Sequence, residues 1–365
     1  MLCMPSTVVS EVSQSARCVC ICYVLLFLLS GKRPKIYQTT PKYIKWEHKN
    51  VQDKLVPGGW LSSKSSNYRI ISLVGEGTYG RVAKCVQMAD KKIVAIKMIK
   101  DRDQKDPFKN QELAALQKLK ACNSSKYNIV EWYQAFTVCG HLCLEFEFLE
   151  KSLLDLLQER YYKPLSLKAV RPIVIQIALA LSHLKSIGTI HADLKLDNVM
   201  LVNNPQEPYR VKLIDFGVAC ETSAAKVGSY IQTSPYRSPE IILGLPFTEA
   251  IDIWSLGCMA VSLYTGSLLY PGYSEYAILK YITETQGELP EVKKLKCDVL
   301  MFVEMVKHLL HLDPQKRMTP NQVLEHAFSK LSHLAWIRQS SSYFNTILTS
   351  YYHKTPPERL YWVKW

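Results

Sequence analysis

The stretch Gly188–Asn198 reads GTIHADLKLDN and sets a carboxylate (Asp193), an ammonium (Lys195) and an amide (Asn198) close together in the chain. Asp193 can accept or orient the proton of an attacking hydroxyl, Lys195 can offset charge on a phosphoryl group in transfer, and Asn198 can offer an amide oxygen to a metal. Seventeen residues beyond Asn198, the apolar run VKLIDFG delivers Asp215 to a Phe216-Gly217 turn, where a carboxylate can chelate Mg²⁺ bridging phosphates. Upstream, VAIK ends at Lys97. Strand alternation puts Ala95 and Lys97 on one face, a small residue to floor an adenine and an ammonium to meet phosphate. A lysine in an apolar strand is costly without a partner. Glu112, the only acid between Asp106 and Glu131, is the expected one. GEGTYGRV adds Gly75, Gly77, Gly80 and Val82, a turn that can offer backbone N–H groups to phosphate oxygens with no Cβ in the way.

Each of these has an ordinary reading when taken singly. The glycines suit any hairpin turn, Lys97 and Glu112 any surface ion pair, and Asp215 an Asx-turn. Their order and separation along one chain make the set specific.

The elements that must position them follow from periodicity. YRIISLV, RVAKCVQM and KIVAIKMI are short β-branched runs divided by turn signals, as in an antiparallel sheet, so the glycines lie in a hairpin rather than at a helix start. DPFKNQELAALQKLK reads as a helix with Asp106 as N-cap and Pro107 first inside it. WYQAFTV and LCLEFEFL return to strand. Thereafter the chain is helical: Val170, Val174, Ile177, Leu181 and Leu184 keep the helical period, with Gly188 closing the helix, and EAIDIWSLGCMAVSLYTG, EYAILKYITET and VLMFVEMVKHLLHL follow. The expected fold class is α+β, a small antiparallel β-rich lobe with one key helix, then a larger helical lobe. No repeat is visible, and PGG followed by SSKSSN at 57–67 marks a boundary. The division is an extension (1–67), a folded domain (68–328, split at 147/148) and a tail (329–365).

Composition bounds this reading without deciding it. At 365 residues, 48% hydrophobic and 21% charged, the chain can bury one large core or two modest ones. The net charge of +13 suits nucleic acid, a membrane surface, or an enzyme with phosphate-bearing ligands, but no DNA-reading motif is present. A basic flank at 31–50 reads as a solvated face, with a nuclear address or phosphate-binding arm as alternatives. Eleven cysteines form no CxxC pair and fit a reducing compartment. CVCICYVLLFLL, residues 18–29, is shorter than the ~20 residues of a spanning helix. A silent or wrongly delimited amino terminus, an acylated membrane anchor and a signal sequence all stay open there.

With these motifs in view, residues 68–328 resemble the eukaryotic protein-kinase domain. PYRVKLIDFG, PEIILGLPFTEAIDIWSLGC, LYPGYSEY and ITETQG are similar to the homeodomain-interacting protein kinases, relatives of the dual-specificity tyrosine-regulated kinases. The resemblance implies a serine/threonine protein kinase using ATP and Mg²⁺, with Lys195 favouring serine and threonine. It further implies protein substrates, transcription regulators as partners, a monomer, and a nuclear site with the cytoplasm as alternative. Residue by residue, Phe146 falls at the gatekeeper, Glu147 and Leu149 in the hinge, Glu240 and Arg317 in a structural ion pair, Asp252 beneath the loop of Asp193, and Tyr230 at the self-phosphorylated tyrosine.

Two arginines are absent. Ala192 occupies the position from which many kinases clamp a phosphate on the activation segment, as is common in this family. Ser234 and Pro235 depart from the family's Arg-Tyr, which puts proline-directed specificity and the benefit of a phosphate on Tyr230 in doubt. A weakly catalytic scaffold that binds protein partners is the alternative those departures raise.

Overall fold

The computed structural model describes residues 55–76, 80–99, 107–202, 206–272, 274–285 and 297–331. The apolar run 18–29, the basic flank, Gly77 and Asp106 lie outside them. Alternation builds the first layer: Tyr68 and Ile70, Ala83 and Cys85, Val94 and Ile96 are buried at every second position. They belong to β1 (Trp60–Ser62), β2 (Asn67–Glu76), β3 (Gly80–Gln87) and β4 (Ile93–Ile99), which join β5 (Trp132–Val138) and β6 (His141–Glu147) in one antiparallel sheet of order β1-β2-β3-β4-β6-β5. The sheet begins ahead of residue 68. Leu55 and Leu61 are buried in its core, and β1 pairs with β2 through Leu61 opposite Tyr68.

One face of the sheet carries that core, and the other carries the site. Register sets Gly75, Val82, Lys97 and Leu144 in one cross-strand row, with Ala95 and Phe146 opposite each other in the next. Helix α1 (Pro107–Ala121) runs between β4 and β5, starting at the proline expected to open it.

Below lies the helical layer. After β7 (Lys151–Ser152), α2 (Leu153–Glu159) starts in a capping box in which Ser152 and Asp155 satisfy each other's backbone N–H. Helix α3 (Leu167–Ser186) buries Val170, Val174, Ile177, Leu181 and Leu184, and Gly188 follows it at φ +63°. Its length and hydropathy would suffice to cross a membrane, but here it is the core helix, most of it buried by its neighbours. Two short strands, β8 (Thr189–Ile190) and β9 (Val199–Leu201), flank the loop holding Asp193. β10 (Val211–Leu213) pairs with β9, and β11 (Cys220–Glu221) with β8. Helices α4 (Pro239–Ile242), α5 (Ala250–Thr265), α6 (Glu275–Thr285), α7 (Cys297–Leu309), α8 (Pro320–Glu325) and α9 (Ala327–Lys330) complete the chain. Helix α5 is mostly apolar and buried along almost its whole length, the pattern of a helix at the centre of a lobe.

The pair expected between Glu240 and Arg317 forms with both guanidinium nitrogens on the carboxylate, at 2.6 and 3.0 Å, and both side chains lie in the interior. Removing one member leaves an unpaired buried charge. Arg317→Ala is therefore expected to lower unfolding stability by about 3–5 kcal/mol. Thermal or urea denaturation reads this; a midpoint equal to wild type would contradict it.

Candidate active site

Two clusters form where the lobes meet. In the first, the Lys97 ammonium lies 2.7 Å from Glu112 on α1 and 2.8 Å from Asp215. One cation serves two carboxylates, so they do not fare alike. Burial acts to raise Asp215, but the Lys97 ammonium outweighs it and holds the carboxyl below its ordinary value. Glu112, almost without solvent, is pushed up, chiefly by burial and then by the charge of Asp215, against the pull of Lys97. Burial would lower Lys97; Asp215 and Glu112 together raise it instead.

The backbone at Asp215 is left-handed, φ +59°. Such a conformation in a non-glycine residue persists where the surroundings over-determine it. Here Phe216 is buried against the His191 ring, with centroids 4.9 Å apart, and the Gly217 N–H donates to Asp215 Oδ1. A Cβ on Gly217 would sit 3.1 Å from that oxygen, which explains a glycine after the phenylalanine.

In the second cluster, Asp193 gathers donors. Lys195 Nζ reaches Oδ2 at 2.7 Å, Asn198 Nδ2 reaches Oδ2 at 3.0 Å and the backbone carbonyl at 2.8 Å, and the Thr233 hydroxyl donates to Oδ1 at 2.6 Å. Lys195 also donates to Thr233 at 3.1 Å. The loop beneath is pinned by Asp252, whose two oxygens take the N–H groups of His191 (2.8 Å) and Ala192 (3.0 Å). His191 accepts from the Asp193 N–H on Nδ1, so Nε2 carries the proton and donates to the Ile214 carbonyl. The Ile214 N–H in turn donates to the Asn198 carbonyl at 3.0 Å, which ties the Asp193 loop to the strand end bearing Asp215.

The residues expected to line a nucleotide are placed as follows, with Gly77 outside the described residues. Phe146 and Ala95 face each other across β6 and β4, Val82 lies opposite Lys97, and Gly75 and Gly80 sit at the ends of β2 and β3. Leu149 is buried in the core of the helical lobe. The Glu147 carboxylate accepts from Lys212 and from the Glu131 N–H at 2.7 Å, tying the segment between the lobes to β10. Tyr230 is 80% exposed, its ring beneath the Arg237 guanidinium at 4.1 Å.

A metal shared with phosphates suits these donors. The contacts of Asn198 Nδ2 fix its amide and direct the oxygen elsewhere, while Asp215 has a second carboxylate oxygen beyond the one Lys97 holds. Among the described residues no cluster of three or more His, Cys, Asp or Glu would cage a metal unaided. Two hard oxygen donors that leave other positions to phosphate and water fit Mg²⁺.

Sequence reasoning missed Thr233, Gln232 and two anchors of α1. Gln111 Nε2 donates to the Ala219 carbonyl and Lys118 pairs with Glu221, both at 2.8 Å, so the start of the activation segment fixes the helix carrying Glu112. A hydroxyl residue just ahead of SPYRSPE was the one available signal for Thr233.

The family described as "Protein kinase domain" matches residues 68–329, most of the chain. The chain belongs to the protein kinase family. The kinase is 37% identical over 355 residues to "Homeodomain-interacting protein kinase 1" of Mus musculus, covering 79% of this chain and 29% of that relative. It is 45% identical over 235 residues to the Caenorhabditis elegans protein of the same name, covering 64% and 28%. "Homeodomain-interacting protein kinase 4" of Homo sapiens is 37% identical over 251 residues, covering 68% and 41%. The kinase thus spans less than half the length of these relatives. ATP is the substrate that a protein kinase domain implies.

Proposed function

We propose that this kinase transfers the γ-phosphoryl group of MgATP to serine and threonine hydroxyls of proteins. The observation that carries the reading is the Asp193–Lys195–Thr233 cluster. Asp193 orients the acceptor hydroxyl and takes its proton, and Lys195, tethered to that carboxylate, stands ready for the transferring phosphoryl. Lys97, held by Glu112, anchors the phosphates. Asn198 and Asp215 hold Mg²⁺, which when bound neutralises charge on the phosphate oxygens.

Gly75, Gly80, Val82, Ala95 and Phe146 line the nucleotide in this reading, with Gly77 assigned to the same turn from the sequence alone and backbone groups of Glu147 and Leu149 serving the adenine. Tyr230 is a self-phosphorylation site; its exposure supports this. The relatives' names favour homeodomain proteins as partners; transcription regulators more widely and a nuclear place of work rest on the family resemblance alone. A monomer is part of this reading, and the lack of a DNA-reading motif in the sequence favours proteins over nucleic acid as what the kinase engages.

A thermal-shift titration discriminates this from a scaffold role. ATP with Mg²⁺ is expected to raise the melting temperature by more than ATP with EDTA, because a ligand that binds only the folded form stabilises by mass action. Equal shifts, or none, would count against the metal-nucleotide site. A positional-scanning peptide library then reports hydroxyl preference and whether proline after the acceptor matters.

A further inference from the structure

The absent arginine at position 192 leaves a mechanical question: what docks the activation segment, residues 215–240, onto the loop of Asp193? Ala192 is fully buried at φ +63°, and its neighbours Ile190, Ile241, Phe247 and Ile251 are apolar, with Ala225 and Ile231 of the segment packed against them. A phosphate clamp has no place in such a pocket.

The polar join is made one residue further on. The Gln232 N–H donates to the Ala192 carbonyl at 2.9 Å, directly bridging segment and loop. The side chain is 5% exposed, and its amide is engaged at both ends. Nε2 donates to Ser255 Oγ (2.9 Å) and the Ile251 carbonyl (3.0 Å) on α5, while Oε1 accepts from the N–H and the hydroxyl of Ser238, both at 3.0 Å. The Gln232 carbonyl accepts from Arg237 Nη2 at 2.7 Å. Its φ of +62° is a conformation a glutamine holds only under such restraint. The next residue is Thr233, whose hydroxyl meets Asp193.

We propose that Gln232 is a positioning residue that docks the activation segment without a phosphate, and that turnover depends on its amide and not on phosphorylation of Tyr230. Arg237, beneath which a phosphate on Tyr230 would have to find its cation, is already committed to Glu275 and to the carbonyls of Ile231 and Gln232. The inference rests on the kinase reading above. The two fail differently: loss of that reading abolishes Asp193-dependent turnover in the untreated wild type, whereas loss of this one leaves it intact.

The test compares the full chain as purified, after phosphatase treatment, as Tyr230→Phe, as Gln232→Glu and as Gln232→Met. Tyr230 occupancy is followed by mass spectrometry, and kcat and KM are measured for ATP and peptide. Gln232→Glu keeps the shape but sets an acceptor against the Ile251 carbonyl; Gln232→Met keeps the bulk and drops the amide, in case the first variant fails to fold.

Phosphatase-treated enzyme and Tyr230→Phe are expected to keep kcat within about threefold, while the folded Gln232 variant loses about 30-fold or more in kcat with KM for ATP little changed. A purely structural role would lower the melting temperature and leave kcat alone. Turnover that vanishes on dephosphorylation or in Tyr230→Phe, or a Gln232 variant with wild-type kcat, overturns the proposal.

Discussion

Replacing Asp193 by Asn is expected to lower kcat by about 10²–10⁴-fold, the range that positioned acid–base groups contribute, while MgATP still binds. The substitution suits the test because the site tolerates its shape. An amide oxygen can go on accepting from Lys195 and Asn198, which now meet Oδ2, and the Thr233 hydroxyl can turn to accept from the new amide N–H. Charge is removed and geometry is kept. The drop should therefore appear in steady-state turnover and not in the MgATP thermal shift. A variant within tenfold of wild type would mean that Asp193 is not the base.

Lys97→Met carries the second large effect, an expected loss of about 10²–10³-fold in kcat/KM, comparable to removing one preorganised electrostatic contact. The reason lies in the two carboxylates. Without the ammonium, Glu112 and Asp215 face each other across the space it filled, and neither is positioned for phosphate or metal. Stability should respond to pH in a defined direction. Burial already pushes Glu112 up, and removing Lys97 pushes it further, so the folded variant holds a proton that the unfolded chain releases. As pH rises that proton is lost at a cost to the fold. The melting-temperature gap between wild type and Lys97→Met is accordingly expected to widen from pH 5.5 to pH 8. A gap constant across that range would show that Glu112 does not change its protonation with the loss of its partner.

Much of this site was legible because its chemistry forces particular residue types at short range. The Lys97–Glu112 pair could be found by elimination, since a buried lysine needs an acid and the following helix offers one. Asp193, Lys195 and Asn198 lie on one loop, so spacing sufficed. The alternation in β2–β4 and the period of α3 carried the two-lobed fold for the same local reason.

What stayed hidden depends on contacts far apart in the chain. Thr233 meets Asp193 across forty residues, and nothing local distinguishes it from any threonine in a loop. Gln232 reads as an ordinary polar residue until the fold buries it between α5 and the turn at Ser238. At Ala192 the sequence displays a missing charge, and only packing reveals that Ile231 and Ala225 complete an apolar pocket around it. The sheet's early start at β1 was masked by brevity, for a three-residue strand beside Pro-Gly-Gly has no period to detect.

The most direct measurement incubates the full chain with γ-labelled ATP, Mg²⁺ and a mixed Ser/Thr/Tyr peptide library, with Asp193→Asn as the blank, and resolves the labelled amino acids. Phosphoserine and phosphothreonine well above the blank are the expected result, with any phosphotyrosine confined to the kinase itself. Label no higher than in the blank, or label carried mainly on peptide tyrosine, would contradict the proposed serine/threonine kinase activity.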